Sequence, residues 1–346
     1  MATASWSTPG LPRVSLSTIC ISMCWGAAPC DGHLASPSRT MLFQHLWYGR
    51  KFARVARRMR NYPRGRSSQR GGWDVTADLT SGSSSNLFLG VYGDVAIMDL
   101  LRAFGLLDAL ARQGIDRPVL DLDLSDPHKH ILRMYQQEIG EDSLVTEFVV
   151  RYTSFSPVQE PAPAEAQDQH PCLYLEWLLL QNPTRSFDAE HAAMPDQEYP
   201  PLALGDMALS LMARMARYIG VSGIVTVPAN LHAALYFATR YQALTQRVQV
   251  ALAALDQAAS HFGRLEIAWA ERWGDLLESR TGHPYRWTPE TLVLPLTGAL
   301  NSAVKLARRR DSTTPEPKLS FTIRQGVRFL RRPNGTVARE YVNGGN

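Results

Sequence analysis

Residues 220–241 read GVSGIVTVPANLHAALYFATRY. Gly223 to Val227 form a short β-branched run that stops at Pro228, as a strand does, since proline cannot continue a hydrogen-bonded ladder. Asn230 then stands where a helix starts, because its side chain can accept a hydrogen bond from an orphan N–H of the first turn. Upstream, GDMALSLMARMARYIG (205–220) places Met207, Leu211, Met215 and Tyr218 on one helical stripe. Before that, CLYLEWLLL (172–180) is the most apolar strand of the chain. Strand, helix, strand in this order predicts a right-handed parallel crossover.

The segments before this unit predict a different pairing. DVAIMDLLRAFGLLDALARQ (94–113) reads as a helix broken near Gly105. PVLDLDL (118–124), HILRMY (130–135) and SLVTEFVVRY (143–152) follow as strands without intervening helices, so they are expected to pair antiparallel. Residues 246–280 are expected to be mostly helical, ETLVLPL (290–296) a late strand, and 319–324 with 327–332 a weak strand pair. The fold class predicted is α/β, with a mixed central sheet antiparallel in its first half, a parallel strand–helix–strand core, and flanking helices.

The net charge of +4 conceals a polar division of the chain. Residues 1–73 hold eleven Lys/Arg against one acid, and 302–346 hold ten against three. The body between them has fifteen basic and twenty-eight acidic residues. Residues 1–86 are read as a basic, Ser/Pro/Gly-rich extension carrying an amphipathic helix near 48–60. Residues 87–301 are the folded domain, and 302–346 a basic C-terminal tail. Met41 is an alternative start. Basic ends can contact nucleic acid, although solvated tails are the plainer reading. No apolar run reaches the roughly 18 residues of a membrane-spanning helix. Cys172 is the one cysteine of the predicted body, which fits a reducing cytoplasm.

Several chemistries are set aside. Cys20, Cys24, Cys30 and His33 have thiolate and imidazole donors but no finger spacing, so no metal is expected. Asp121 and Asp123 have the spacing of a phosphatase nucleophile–acid pair, without its downstream acids and lysine. His128 and His130 share one side of an extended segment, and nothing completes a metal site. Neither a Gly-x-Ser-x-Gly elbow nor a Gly-rich nucleotide fingerprint occurs.

Residues 172–244 resemble the acyl-CoA-binding core of the GNAT acyltransferase superfamily. LLLQNP (178–183) is similar to the end of the family's fourth strand, and NLHAALYFATRYQAL (230–244) to its aromatic-bearing helix. The resemblance implies acyl-CoA-dependent N-acyltransfer, with acetyl-CoA as the default donor and a small-molecule or peptide amine as acceptor. It implies that Leu180, Gln181, Ala203, Leu204, Gly205, Asp206 and Asn230 surround the coenzyme. A helix N-terminus binds phosphate through unpaired N–H groups and its positive dipole end. Ala203 and Gly205 fall on the small positions of the family's pyrophosphate turn. Pro200 stands where it has Arg or Gln, and Asp206 adds a negative charge. Glu176, mid-strand among apolar residues, is the expected general base, with a pKa raised by burial. Tyr236 is the expected acid for the leaving thiolate, although counting from Asn230 brings Phe237 nearest that position. His232 is another possible base. The alternatives are a catalytically inactive relative that binds a ligand or partner, and a nucleic-acid-associated protein acting through its basic ends.

Overall fold

The structure, a computed structural model, describes residues 87–157, 169–311 and 319–342. The expected helix at 48–60 and the cysteines before Cys172 lie outside the described residues.

Seven helices and eleven strands are described. Helix α1 (Asp94–Ala103) and helix α2 (Leu106–Ala111) part at Gly105, whose φ of 74° is a left-handed conformation that glycine adopts without steric cost. Four strands follow: β1 (Pro118–Asp126), β2 (Lys129–Gln136), β3 (Leu144–Phe155) and β4 (His170–Leu180). Helix α3 (Gly205–Ile219) leads to β5 (Gly223–Thr226), and helix α4 (Leu231–Ala238) to β6 (Gln242–Ala243). Helices α5 (Gln246–Phe262) and α6 (Arg264–Trp273) precede β7 (Leu276–Glu278) and β8 (Leu292–Pro295). Helix α7 (Gly298–Asp311) is followed by β9 (Phe321–Ile323), β10 (Val327–Arg331) and β11 (Val337–Tyr341).

The seven-stranded sheet has the order β1-β2-β3-β4-β5-β8-β6. Neighbours through β4 run antiparallel, β4 and β5 run parallel, and β8 pairs antiparallel with both β5 and β6. The mixed sheet is therefore present, with its one parallel pair at the strand–helix–strand unit. Period-2 alternation explains the sides. Leu132, Val150 and Leu173 face the main core, where residues of α1–α6 cover them. On the other face Cys172, Val225 and Val293 meet Leu300 and Val304 of α7.

The C-terminal strands differ from the expected pair. Strand β9 pairs with β7, and β10 pairs with β11 across a hairpin, so 319–324 and 327–332 are not partners. The reason is tertiary. Asp275, fully buried at the end of α6, lies 3.0 Å from Arg324 Nε and 2.7 Å from Arg339 Nε. Backbone bonding of Arg324 N–H to Asp275 O (2.8 Å) seats β9 on the body instead. Among the described residues no helix is long and apolar enough to cross a membrane.

Candidate functional site

The site is a wedge at the parallel pair. Cα register runs from Cys172↔Gly223 to Leu175↔Thr226 and stops there, while β4 continues to Leu180. From Glu176 onward β4 has β3 on one side and no strand on the other. The gap closes further along, where Gln181 bridges Pro201 and Asn182 N–H bonds Pro200 O at 2.6 Å.

Strand β4 is bulged at the same point. Val150 pairs with Leu175 and Val149 with Trp177, leaving Glu176 as the extra residue. Core parity confirms it. Leu173 and Leu175 belong to the main core, and so does Leu178, three residues on. Strict alternation would turn Leu178 outward; a bulge restores it and re-aims Glu176. The L-E-W-L interruption in LYLEWLL carries this signal in the sequence.

Glu176 does not have the environment expected of it. Arg151 Nε donates to its Oε2, and Lys129 Nζ lies 3.3 Å from Oε1. Burial pushes its pKa up, but the Arg151 hydrogen bond and the two positive charges outweigh burial and hold it below the usual carboxylate value. The expectation of a pKa raised by burial is thus corrected. Lys129 and Arg151 are paired across β2 and β3, and that cross-strand register is what brings both to Glu176.

The turn before α3 is held from below by Asn182, which is fully buried. Its Nδ2 donates to Gln113 O (3.0 Å), and its Oδ1 accepts from Thr184 N–H and Oγ1. Gln181, also buried, donates to Leu144 O. Both side chains are spent on the scaffold. Ala203 is in the left-handed region with φ of 52°, a conformation that costs a non-glycine residue free energy. Leu204 is the N-cap of α3 and offers no side-chain acceptor. The first-turn N–H groups of Gly205, Asp206 and Met207 therefore point away from any intrahelical carbonyl.

Tyr236 and Arg240 meet this helix start. A Cβ on Gly205 would overlap Tyr236 Oη, so the small residue is required by the tyrosine as much as by any ligand. Asp206 Oδ1 lies 3.4 Å from Tyr236 Oη and 3.1 Å from Arg240 Nη2. Arg240 also donates to Ser210 Oγ at 2.9 Å. Burial raises the Tyr236 pKa well above that of an ordinary phenol, and the Asp206 charge adds to it. Such a phenol keeps its proton near neutral pH and acts as a hydrogen-bond donor. Asn230 caps α4, its Oδ1 accepting from Ala233 N–H at 3.0 Å. His232 is buried in the first turn of α4, and Phe237 is fully buried beside Tyr236 and Tyr241.

The structure thus brings Gly205, Asp206, Tyr236 and Arg240 together, with Leu204 adjacent. Glu176 points into the Arg151–Lys129 pair. Arg240, Arg151 and Lys129 were missed from sequence, because nothing local distinguishes them from other basic residues. Among the described residues no group of three His, Cys, Asp or Glu side chains is placed to hold a metal. Asp121 stands 3.7 Å from Arg133, and Asp123 accepts from Ser125. Comparison with protein-family models and with curated proteins found no match.

Proposed function

We propose that this chain is an acyl-CoA-dependent N-acyltransferase, taking acetyl-CoA as default donor and an amine as acceptor. One observation carries the reading: the β4–β5 pairing ends at Leu175↔Thr226, next to the Glu176 bulge, and α3 starts at Gly205 without a side-chain cap. An open strand edge offers backbone N–H groups to a thioester arm, and a helix start suits its phosphates. In the transfer, the amine nitrogen attacks the thioester carbonyl and the C–S bond breaks. The amine loses a proton and the thiolate gains one. Tyr236 would donate a hydrogen bond to the leaving sulfur. Arg240 would meet a phosphate oxygen in place of Asp206. Glu176, ionised and paired, would orient the acceptor's ammonium group rather than deprotonate it unaided.

A second reading is a ligand-binding relative without turnover. It is favoured by Asp206, a carboxylate at the place where the phosphate would sit, already neutralised by Arg240. A nucleic-acid role through the C-terminal basic residues has less support. Arg308 is bound to Ala243 O, Arg331 to Glu266, and Arg324 and Arg339 to Asp275.

The test is calorimetric titration of acetyl-CoA and free CoA into the full chain, with Asp206→Asn and Arg240→Gln. Binding that tightens in the first variant and weakens in the second is expected. No binding by folded protein would overturn the reading, and binding without acetylation across an amine panel would favour the second one.

A further inference from the structure

An apolar cavity of about 70 Å³ lies between α1–α2, the inner faces of β2 and β3, and α3 from Ala208 to Met215. Leu100, Leu106, Met134, Leu180, Leu204 and Leu211 are among the side chains that line it. Thr146 is its one polar lining side chain, and its hydroxyl is spent on Leu179 O at 2.7 Å. Water gains nothing there, because an ordered water needs roughly two to four polar partners. An empty void is also unfavourable in a close-packed interior, where lining atoms lose their contacts. Leu180 ends β4 beyond the β5 pairing and Leu204 caps α3, so the cavity is bounded by the same two elements as the candidate site.

We propose that the cavity receives a short unbranched alkyl chain belonging to the substrate. The inference rests on the acyltransferase reading, and narrows it from acetyl transfer to a substrate bearing about two to four carbons beyond the reacting group. Size sets the class. The cavity measures about 70 Å³. It is well short of the roughly 150 Å³ that holds a benzene ring, so aromatic and bulky branched groups do not fit. Its lining gives no charged or hydrogen-bonding group for a polar side chain. The chain can come from the acyl donor or from the amine acceptor, and the two sources are separable.

The experiment measures binding to the full chain in two series: acetyl-, butanoyl-, hexanoyl- and benzoyl-CoA, and n-propyl-, n-butyl-, n-hexyl- and benzylamine. In one series the affinity is expected to rise by about fourfold per methylene and then level off within a few carbons, with the aromatic member weaker. Ala208→Leu, which fills the cavity from α3, is expected to flatten the rise. Leu211→Ala, which enlarges it, is expected to move the plateau to longer chains. The wild-type series alone decides the matter if a variant does not fold. A rise among the thioesters places the chain on the donor, and a rise among the amines places it on the acceptor. CoA binding with no dependence on length in either series overturns this inference and leaves the transferase reading standing. A rise among the amines with no CoA binding keeps the cavity assignment and overturns the transferase reading. No binding in either series overturns both.

Discussion

The hydroxyl of Tyr236 fills the space into which a Cβ on Gly205 would project. The first residue of α3 and the sixth of α4 are therefore locked by sterics, and the candidate site is built around that contact. Gly205→Ala is expected to destabilise the protein by about 1–3 kcal/mol, the usual cost of overpacking. Tyr236→Phe removes the nearest colliding atom and leaves the ring carbon Cζ, 2.8 Å from that Cβ, so the double variant should be less destabilised than the sum of the singles without being fully relieved. Urea unfolding of the four proteins checks this, and strict additivity would show that the contact is not felt.

Glu176 sits between Arg151 and Lys129, with its pKa held below the ordinary carboxylate value against the opposing effect of burial. A depressed carboxylate pKa adds stability above the unfolded value, and this is lost as pH falls through the folded one. Glu176→Gln is expected to cost roughly 1 kcal/mol near neutral pH, since all three side chains retain contact with solvent. The variant should also show a shallower loss of stability on acidification below about pH 4.5. Denaturant midpoints at pH 7 and across the acid limb measure both effects. An unchanged acid limb would mean that the pair is not formed in solution.

His130 is buried on the inner face of β2, where its Nδ1 accepts the Leu89 N–H at 2.8 Å. Burial lowers its pKa, only partly offset by a backbone bond to Pro127 and the charge of Asp126, while neighbouring His128 acts in the same direction as burial. A histidine held neutral contributes stability that is complete above its unfolded pKa of about 6.5 and declines as pH falls below it. Protonation also turns the Nδ1 acceptor into a donor facing an N–H, which releases the 87–92 turn. His130→Asn keeps an acceptor near the same place without the titration. Its stability should be nearly flat between pH 7 and 5 where the wild type declines, as thermal unfolding at both pH values would show.

Asp275 is fully buried, while Arg324 and Arg339, which pair with it, reach solvent. Removing the carboxylate leaves two guanidinium groups aimed at a buried amide. Asp275→Asn is expected to cost roughly 2 kcal/mol, below the range for a fully buried pair because both arginines are partly hydrated. The loss should fall first on 319–342, seen as faster amide exchange in β9 and the β10–β11 hairpin than in β3 and β4. Uniform exchange would show that the clasp does not govern that segment.

The elements of the body were legible because their signals are local. The apolar run of β4, the stripe of α3, the proline after β5 and the Asn230 cap each lie within a few residues of what they specify. Gly105 dividing α1 from α2 belongs to the same class. The pairing of β9 was not legible. Its partner depends on Asp275, 49 residues away along the chain from Arg324, and no periodicity records such a distance.

The same boundary divides the site. Residue order alone determined that a parallel strand–helix–strand unit would form and which residues would stand at the start of α3 and α4, because backbone propensity and hydrophobic period act over neighbours. Only the tertiary structure decided what those residues experience. Glu176 meets Arg151 and Lys129 from positions 25 and 47 residues away because antiparallel register and a bulge bring them to one face. Gly205 meets Tyr236 because two helices converge at the end of the wedge. Steric contacts act within an ångström or so and charge interactions within about 10 Å, so a carboxylate's proton affinity and a glycine's necessity follow distances in space, and those are set only when the chain has packed.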